Sequence, residues 1–170
     1  MTGILIVPFE NLGRILREIE TTLSTTFNQP VKITTPQKLE TARRRGTQFH
    51  AEDFLPIIIA RVRDYRASSG LGITTLDLFV PELNFVFGLA TREHRVAIIS
   101  LARLSSANWK VFLSRCIKEA IHELGHASYG LSHCPNPTCV MFFSNSLVDT
   151  DVKGVDFCKQ CSKKIRPYLQ

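Results

Sequence analysis

Two periods of hydrophobic and polar positions alternate along this chain, and their order predicts strand and helix in turn. Residues 3–9, Gly3-Ile4-Leu5-Ile6-Val7-Pro8-Phe9, form a short apolar run closed by Pro8 and Glu10, the pattern of a buried strand near 3–8. A helical period follows near 11–28, then a strand near 31–35, a helix near 50–67, two strands within 73–90, a strand near 96–104 and a long helix near 108–130. Asn11, Thr47 and the stretch from Ser106 to Asn108 carry the short polar side chains that start helices. Such alternation argues for a mostly parallel sheet with helices packed on it. No linker, repeat or low-complexity stretch divides the 170 residues, so one domain over 1–170 is expected.

The last helix carries the chemistry. In His122-Glu123-Leu124-Gly125-His126 the two histidines are four residues apart, which on a helix places them on one face roughly 6 Å from each other, close enough to share a metal. Glu123 flanks that face and can act on a water held by the metal, the place of a general base. His133 lies seven residues beyond His126, about 10 Å further along a continued helix, too far for a zinc–nitrogen bond of about 2 Å. The helix must therefore break, and Gly130 stands where a left-handed residue can end it and fold His133 back. Three histidine ligands leave a fourth tetrahedral position open, the mark of a catalytic zinc.

Four of the five cysteines follow at once: Cys134, Cys139, Cys158 and Cys161, two short-spaced pairs separated by a loop. That spacing reads as a structural zinc site of four thiolates that replaces the core a polar tail lacks. Disulfide pairing is one rival; another gives Cys134 to the first zinc and frees His133, which would rob the cysteine site of a ligand and weaken the first zinc as a Lewis acid. Cys116, in the apolar run before His122, reads as a buried small hydrophobe, and His50 and His94 lack any ligand spacing.

With Met141 two residues after Cys139, the chain closely resembles the archaemetzincins, a branch of the metzincin zinc metallopeptidases. Residues 73–90 and 96–104 also look like archaemetzincin sequence, and the resemblance covers roughly residues 70 to 161. One departure stands out: three residues, Ala127, Ser128 and Tyr129, precede Gly130 where the generic metzincin pattern has two. The resemblance implies an α+β, α/β-like metzincin fold with a mixed, mostly parallel five-stranded twisted sheet whose antiparallel edge borders the cleft. It implies an upper part (1–130) ending in the active-site helix and a small irregular lower part (131–170) holding His133, the cysteines and Met141, the methionine lying under the catalytic zinc as a hydrophobic floor.

Charge and composition change this picture little. The net charge is +6 and the pI near 9.3; the densest basic clusters, Arg43-Arg44-Arg45 and Lys163-Lys164 with Arg166, read first as solvated surface. No run reaches the 18 or so apolar residues of a membrane span, and none at the start resembles an export signal, so a soluble cytoplasmic monomer is expected, without membrane partners. The expected function is peptide-bond hydrolysis through a water on the first of two zinc ions, with Glu123 as base. A peptide or protein substrate is expected along an edge strand Asn84–Ala90, where Gly88 would let its backbone approach. Two alternatives are a peptide-binding protein on the same scaffold with little or no catalysis and, less favoured, a zinc-module nucleic-acid binder. Tyr129 and Tyr168 are the tyrosines near enough in sequence to be candidates for the site, and no spacing rule decides between that and ordinary packing.

Overall fold

The computed structural model describes residues 3–169; Met1, Thr2 and Gln170, at the ends of the expected domain, lie outside the described residues. The larger sheet is built from β1 (Ile4–Pro8), β2 (Val31–Ile33), β5 (Ser69–Thr74), β8 (Gly88–Thr91) and β9 (Val96–Ser100), in the order β2-β1-β5-β9-β8. All neighbours are parallel except β8, which pairs with β9 antiparallel and forms one edge. This is the mixed five-stranded sheet that the resemblance implied. Side chains alternate across it with the strand period of two: Ile4, Ile6, Leu71, Ile73, Ala97 and Ile99 join one core, whereas Leu5, Val7, Val96 and Ile98 join the other.

Helices α1 (Arg14–Phe27) and α3 (Trp109–Tyr129) supply the first core, and α2 (Leu55–Tyr65), led in by a 3-10 turn at Ala51–Phe54, supplies the second. Sheet and helices are thus two layers of apolar contact around one mostly parallel sheet. Central β5 is buried throughout and carries Gly70 and Gly72, where an added Cβ would stand 2.4 Å from Val62 and 2.4 Å from Ile58 respectively. Those glycines let α2 lie close on the sheet, and they also break the apolar run, which is why the sequence pattern starts this strand only at residue 73.

A smaller sheet, order β3-β4-β6-β7, comprises β3 (Arg44–Arg45), β4 (Gln48–His50), β6 (Leu78–Val80) and β7 (Leu83–Val86). Its strands have two to four residues, too short for periodicity to reveal. The expected single edge strand Asn84–Ala90 is therefore two strands: buried Phe87 separates β7 of the small sheet from β8 of the large one. Two of the expected helix starts also differ. Gly13 precedes α1, with Asn11 Oδ1 accepting a bond from its N–H, and Thr47 lies in the hairpin between β3 and β4. Asn108 does start α3, its Oδ1 accepting from the Lys110 N–H at 2.9 Å.

Beyond α3 the chain is mostly irregular. Helix α4 (Leu147–Val152) opens with a capping box of Ser146 and Asp149 and docks on α3 through basic side chains, Arg115 with both oxygens of Asp151 at 2.7 Å and Lys118 with the carbonyls of Thr150 and Asp151. Helix α5 (Lys159–Ile165) closes the cysteine region.

Candidate metal centres and cleft

The end of α3 shows how the additional residue before Gly130 is absorbed. A common helix ending closes a six-residue loop, the N–H five residues on returning to the first carbonyl. Here Gly130 takes the left-handed conformation (φ 61°), its N–H reaches the carbonyls of Gly125 and His126, and the Leu131 N–H returns to Gly125 at 3.1 Å. The closed loop is one residue wider, so Leu131 still turns back, its carbonyl accepting from His126 Nδ1, and His133 comes round to face the helix.

The three imidazoles then converge, each offering a nitrogen within 4.8 Å of the others. His122 Nε2 and His126 Nε2 are 3.0 Å apart, and the ring centroids of His133 stand 4.7 Å from His126 and 5.3 Å from His122. His122 Nδ1 donates to the Val140 carbonyl at 2.8 Å, as His126 Nδ1 does to Leu131, so both Nε2 atoms turn their lone pairs toward the common centre. Burial holds the imidazole of His122 well below its usual pKa and lowers His126 and His133 too, leaving them neutral donors near pH 7. This donor set suits zinc, which takes neutral imidazoles in a tetrahedron.

Glu123 is buried beside this cluster, against β8. A Cβ on Gly88 would stand 2.6 Å from Glu123 Cγ and 2.7 Å from its Oε1. Gly88 therefore makes room for the Glu123 carboxylate from the edge strand. Burial pushes the Glu123 carboxyl up to about 8, with Glu119 adding to the rise and Lys153 opposing it. Glu119 and Lys153 form an enclosed ion pair at 2.9 Å, an electrostatic contact more than a well-aligned hydrogen bond. Nothing in the sequence pattern marked either residue.

Met141 is fully buried beneath the histidine turn, where a Cβ on Gly125 would stand 2.5 Å from its Sδ. Its sulfur fills the space that the missing side chain of Gly125 leaves, which explains the glycine between the histidines. Tyr129 and Tyr168 do not line the cleft: Tyr129 stacks on Phe27 at 5.2 Å, its hydroxyl meets Gln29, and Tyr168 packs on Tyr129. His50 is buried against Phe79 and His94 is exposed in the turn after β8, both apart from the cluster.

Behind the histidines the four cysteines form a second group with sulfurs within 4.8 Å of one another, and all five cysteines are free thiols. Cys134 Sγ and Cys158 Sγ are 3.7 Å apart, far from a disulfide bond of about 2 Å but close to the edge, roughly 3.8 Å, of a tetrahedron with zinc–sulfur bonds of about 2.3 Å. The Cys161 N–H and neighbouring groups bring Cys158 down to about 7, while burial raises Cys139 and Cys161, whose thiolates a bound cation would favour. Cys116 is buried in the first core, as expected, its thiol pushed up to about 12 by burial.

The histidines lie on the floor of a cleft of about 580 Å³, roofed by β7 and β8 and closed on one side by Phe143, Ser144 and Asn145. Of the two strands that line the cleft, β8 has the free edge: the carbonyls of Leu83 and Asn84 on β7 accept bonds from Arg45, and Asn84 also from Gln48. Among the described residues no helix is long and apolar enough to cross a membrane.

Known proteins match this arrangement. The model of peptidase family M54 covers residues 43–167. The archaemetzincin of Pyrococcus abyssi is 46% identical over 128 residues, 72% of this chain and 68% of that protein. Among solved structures, archaemetzincin from Methanopyrus kandleri aligns over 99% of this chain and 95% of its own with 32% identity and a TM-score of 0.85. The Archaeoglobus fulgidus archaemetzincin, complexed with malonate, aligns over 96% of this chain and 100% of its own with 32% identity and a TM-score of 0.83. With the resemblance thus extended to most of its length and to its whole fold, the chain belongs to peptidase family M54, the archaemetzincin family of zinc metallopeptidases.

Proposed function

We propose that the protein hydrolyses peptide bonds with zinc held by His122, His126 and His133 and with Glu123 as general base, and that Cys134, Cys139, Cys158 and Cys161 hold a second, structural zinc. The observation that carries this reading is the convergence of three lone-pair-bearing imidazoles beside one buried carboxylate on the floor of a single cleft. Zinc bound there supplies a Lewis acid that makes water acidic near neutral pH and polarises a carbonyl oxygen.

The chain's own residues do the rest. The carbonyls of Val140 and Leu131 fix the tautomer and tilt of His122 and His126, which keeps both rings aimed without reorganisation during turnover. Glu123, pressed between α3 and β8, takes a proton from the attacking water and delivers it to the departing amine; its raised pKa suits a group that must do both near neutrality. The free edge of β8 offers N–H and C=O groups to an extended peptide. Apolar walls from Phe85, Phe87, Leu89 and Phe143 exclude water around the bond to be cut.

Glu123→Ala should retain zinc at the histidines and lower turnover of a cleaved peptide by roughly 100-fold or more. Parent-like hydrolysis by this variant on a verified peptide would remove the assigned role. Binding of the same peptides without cleavage by the zinc-loaded parent would favour a peptide-capturing protein instead.

A further inference from the structure

We infer that Arg92 selects substrates with an acidic side chain on the N-terminal side of the scissile bond, a specificity that rests on the peptidase reading above. Arg92 follows β8 directly and is the only lysine or arginine lining the cleft. Its guanidinium lies against the turn that ends α3, where a Cβ on Gly130 would stand 2.6 Å from Arg92 Cζ and 2.9 Å from Nη1. A side chain at position 130 would displace it, so the glycine that ends the helix also seats this cation at the cleft wall.

Its charge has no answering group. Its backbone carbonyl accepts from the Arg95 N–H, but among the described residues its side chain has no hydrogen-bond or ion-pair partner and is exposed and free to take one. Arginines elsewhere on the same face of the molecule are engaged: Arg103 with Asp77, and Arg45 with the β7 carbonyls. The two carboxylates of the cleft do not serve Arg92 either, because Glu119 is committed to Lys153 and Glu123 lies against Gly88 at the other end of β8. A planar, always-charged fork left open in a largely apolar cleft matches a carboxylate.

Direction follows from the strand. Glu123 marks the reacting end at Gly88, and Arg92 lies four residues on, roughly 13 Å at strand rise. The guanidinium folds back toward Gly130, one helical turn after His126, which shortens the reach. A peptide paired antiparallel to β8, the more stable strand arrangement, places residues about two to four positions before the scissile bond under Arg92.

The test takes a fluorogenic peptide cleaved by the parent and replaces in turn each of the four residues before and after the bond with Glu, Gln or Lys. Parent enzyme should prefer Glu to Gln by about fivefold in kcat/KM at one of the second to fourth positions before the bond, as befits a partly exposed, charge-assisted contact. Arg92→Gln should bring that ratio to about one, Arg92→Lys should keep part of it, and Arg92→Glu should turn the preference to Lys. The same peptides are then titrated onto zinc-loaded Glu123→Ala with and without Arg92→Gln, reading affinity by fluorescence anisotropy. Loss of the Glu preference in binding on adding Arg92→Gln upholds Arg92 independently of turnover, whereas a Glu123→Ala variant that still cleaves the peptide would sink only the peptidase mechanism above. Cleavage with no Glu preference at any position, or an undiminished preference in Arg92→Gln, overturns the assignment, as does a preference confined to the C-terminal side.

Discussion

Lys153→Met should destabilise the protein by about 3–5 kcal/mol, the range for removing one member of a buried ion pair and leaving the other enclosed. The Lys153 side chain is 0% exposed and that of Glu119 3%, with Nζ 2.9 Å from Oε1. Without the ammonium, the Glu119 carboxylate sits uncompensated one helical turn from Glu123, and no nearby cation can replace it. Lys118 points its Nζ at the carbonyls of Thr150 and Asp151 instead. At roughly 2–4 °C per kcal/mol for a chain of this size, the melting temperature should drop by about 6–20 °C. Adding Glu119→Gln should recover about 1–3 kcal/mol of that loss, because the stranded charge goes with it. The assay is urea unfolding followed by circular dichroism at a fixed free zinc concentration, since bound metal contributes to stability by mass action. Exposed Lys38→Met, expected within about 0.5 kcal/mol of the parent, is the control. A cost below about 1 kcal/mol for Lys153→Met, or a double variant no more stable than the single, would refute the enclosed pair.

Gly88→Ala places a methyl group 2.6–2.8 Å from Glu123 Cγ, Oε1 and Cδ, so the carboxylate must move. We expect kcat/KM to fall roughly 10- to 100-fold with zinc content unchanged, and parent-like activity would show that Glu123 tolerates displacement. Cys158→Ser should leave at most one firmly held zinc per chain, weaken metal at the histidines as well, and expose cysteines to thiol reagents that the zinc-loaded parent resists. Metal analysis together with thiol titration checks this, with buried Cys116 staying inert in both proteins until they unfold. Unchanged zinc affinity at the histidines in Cys158→Ser would show that the two sites are independent.

The parts of this molecule that sequence made legible are those whose information is local. His122, Glu123 and His126 are fixed relative to one another by the helical repeat, and Gly130 had to break the helix for His133 to join them. The large sheet was legible in outline because β1 and β9 are unbroken apolar runs. What stayed hidden depends on tertiary neighbours. Residues 84–90 read as one strand because nothing local says that Phe87 passes the chain from one sheet to another. Sequence gives Gly88 no link to Glu123 and Gly125 none to Met141 until the carboxylate and the sulfur are seen to fill the space their missing side chains leave. Lys153, one of 21 basic residues in a basic chain, carries no mark of being the one that is wholly enclosed.

The three residues Cys139, Val140 and Met141 explain why a four-cysteine cluster adjoins this cleft. Cys139 belongs to the thiol group, the Val140 carbonyl holds His122 Nδ1, and Met141 fills the space under Gly125 while its carbonyl accepts from the Cys134 N–H at 2.9 Å. Cys134 in turn is the neighbour of His133. His122 is thus fixed through Val140, the residue after Cys139, and His133 through its neighbour Cys134, whereas His126 takes its support from its own helix end, through Leu131. The segment around these cysteines has little regular structure of its own to resist distortion: α4 and α5 have six and seven residues. A cross-link among Cys134, Cys139, Cys158 and Cys161 would supply that rigidity. Val140 and Met141 pack into the same core that anchors α3, so loss of that cross-link would fall first on His133, which is exposed beside Cys134.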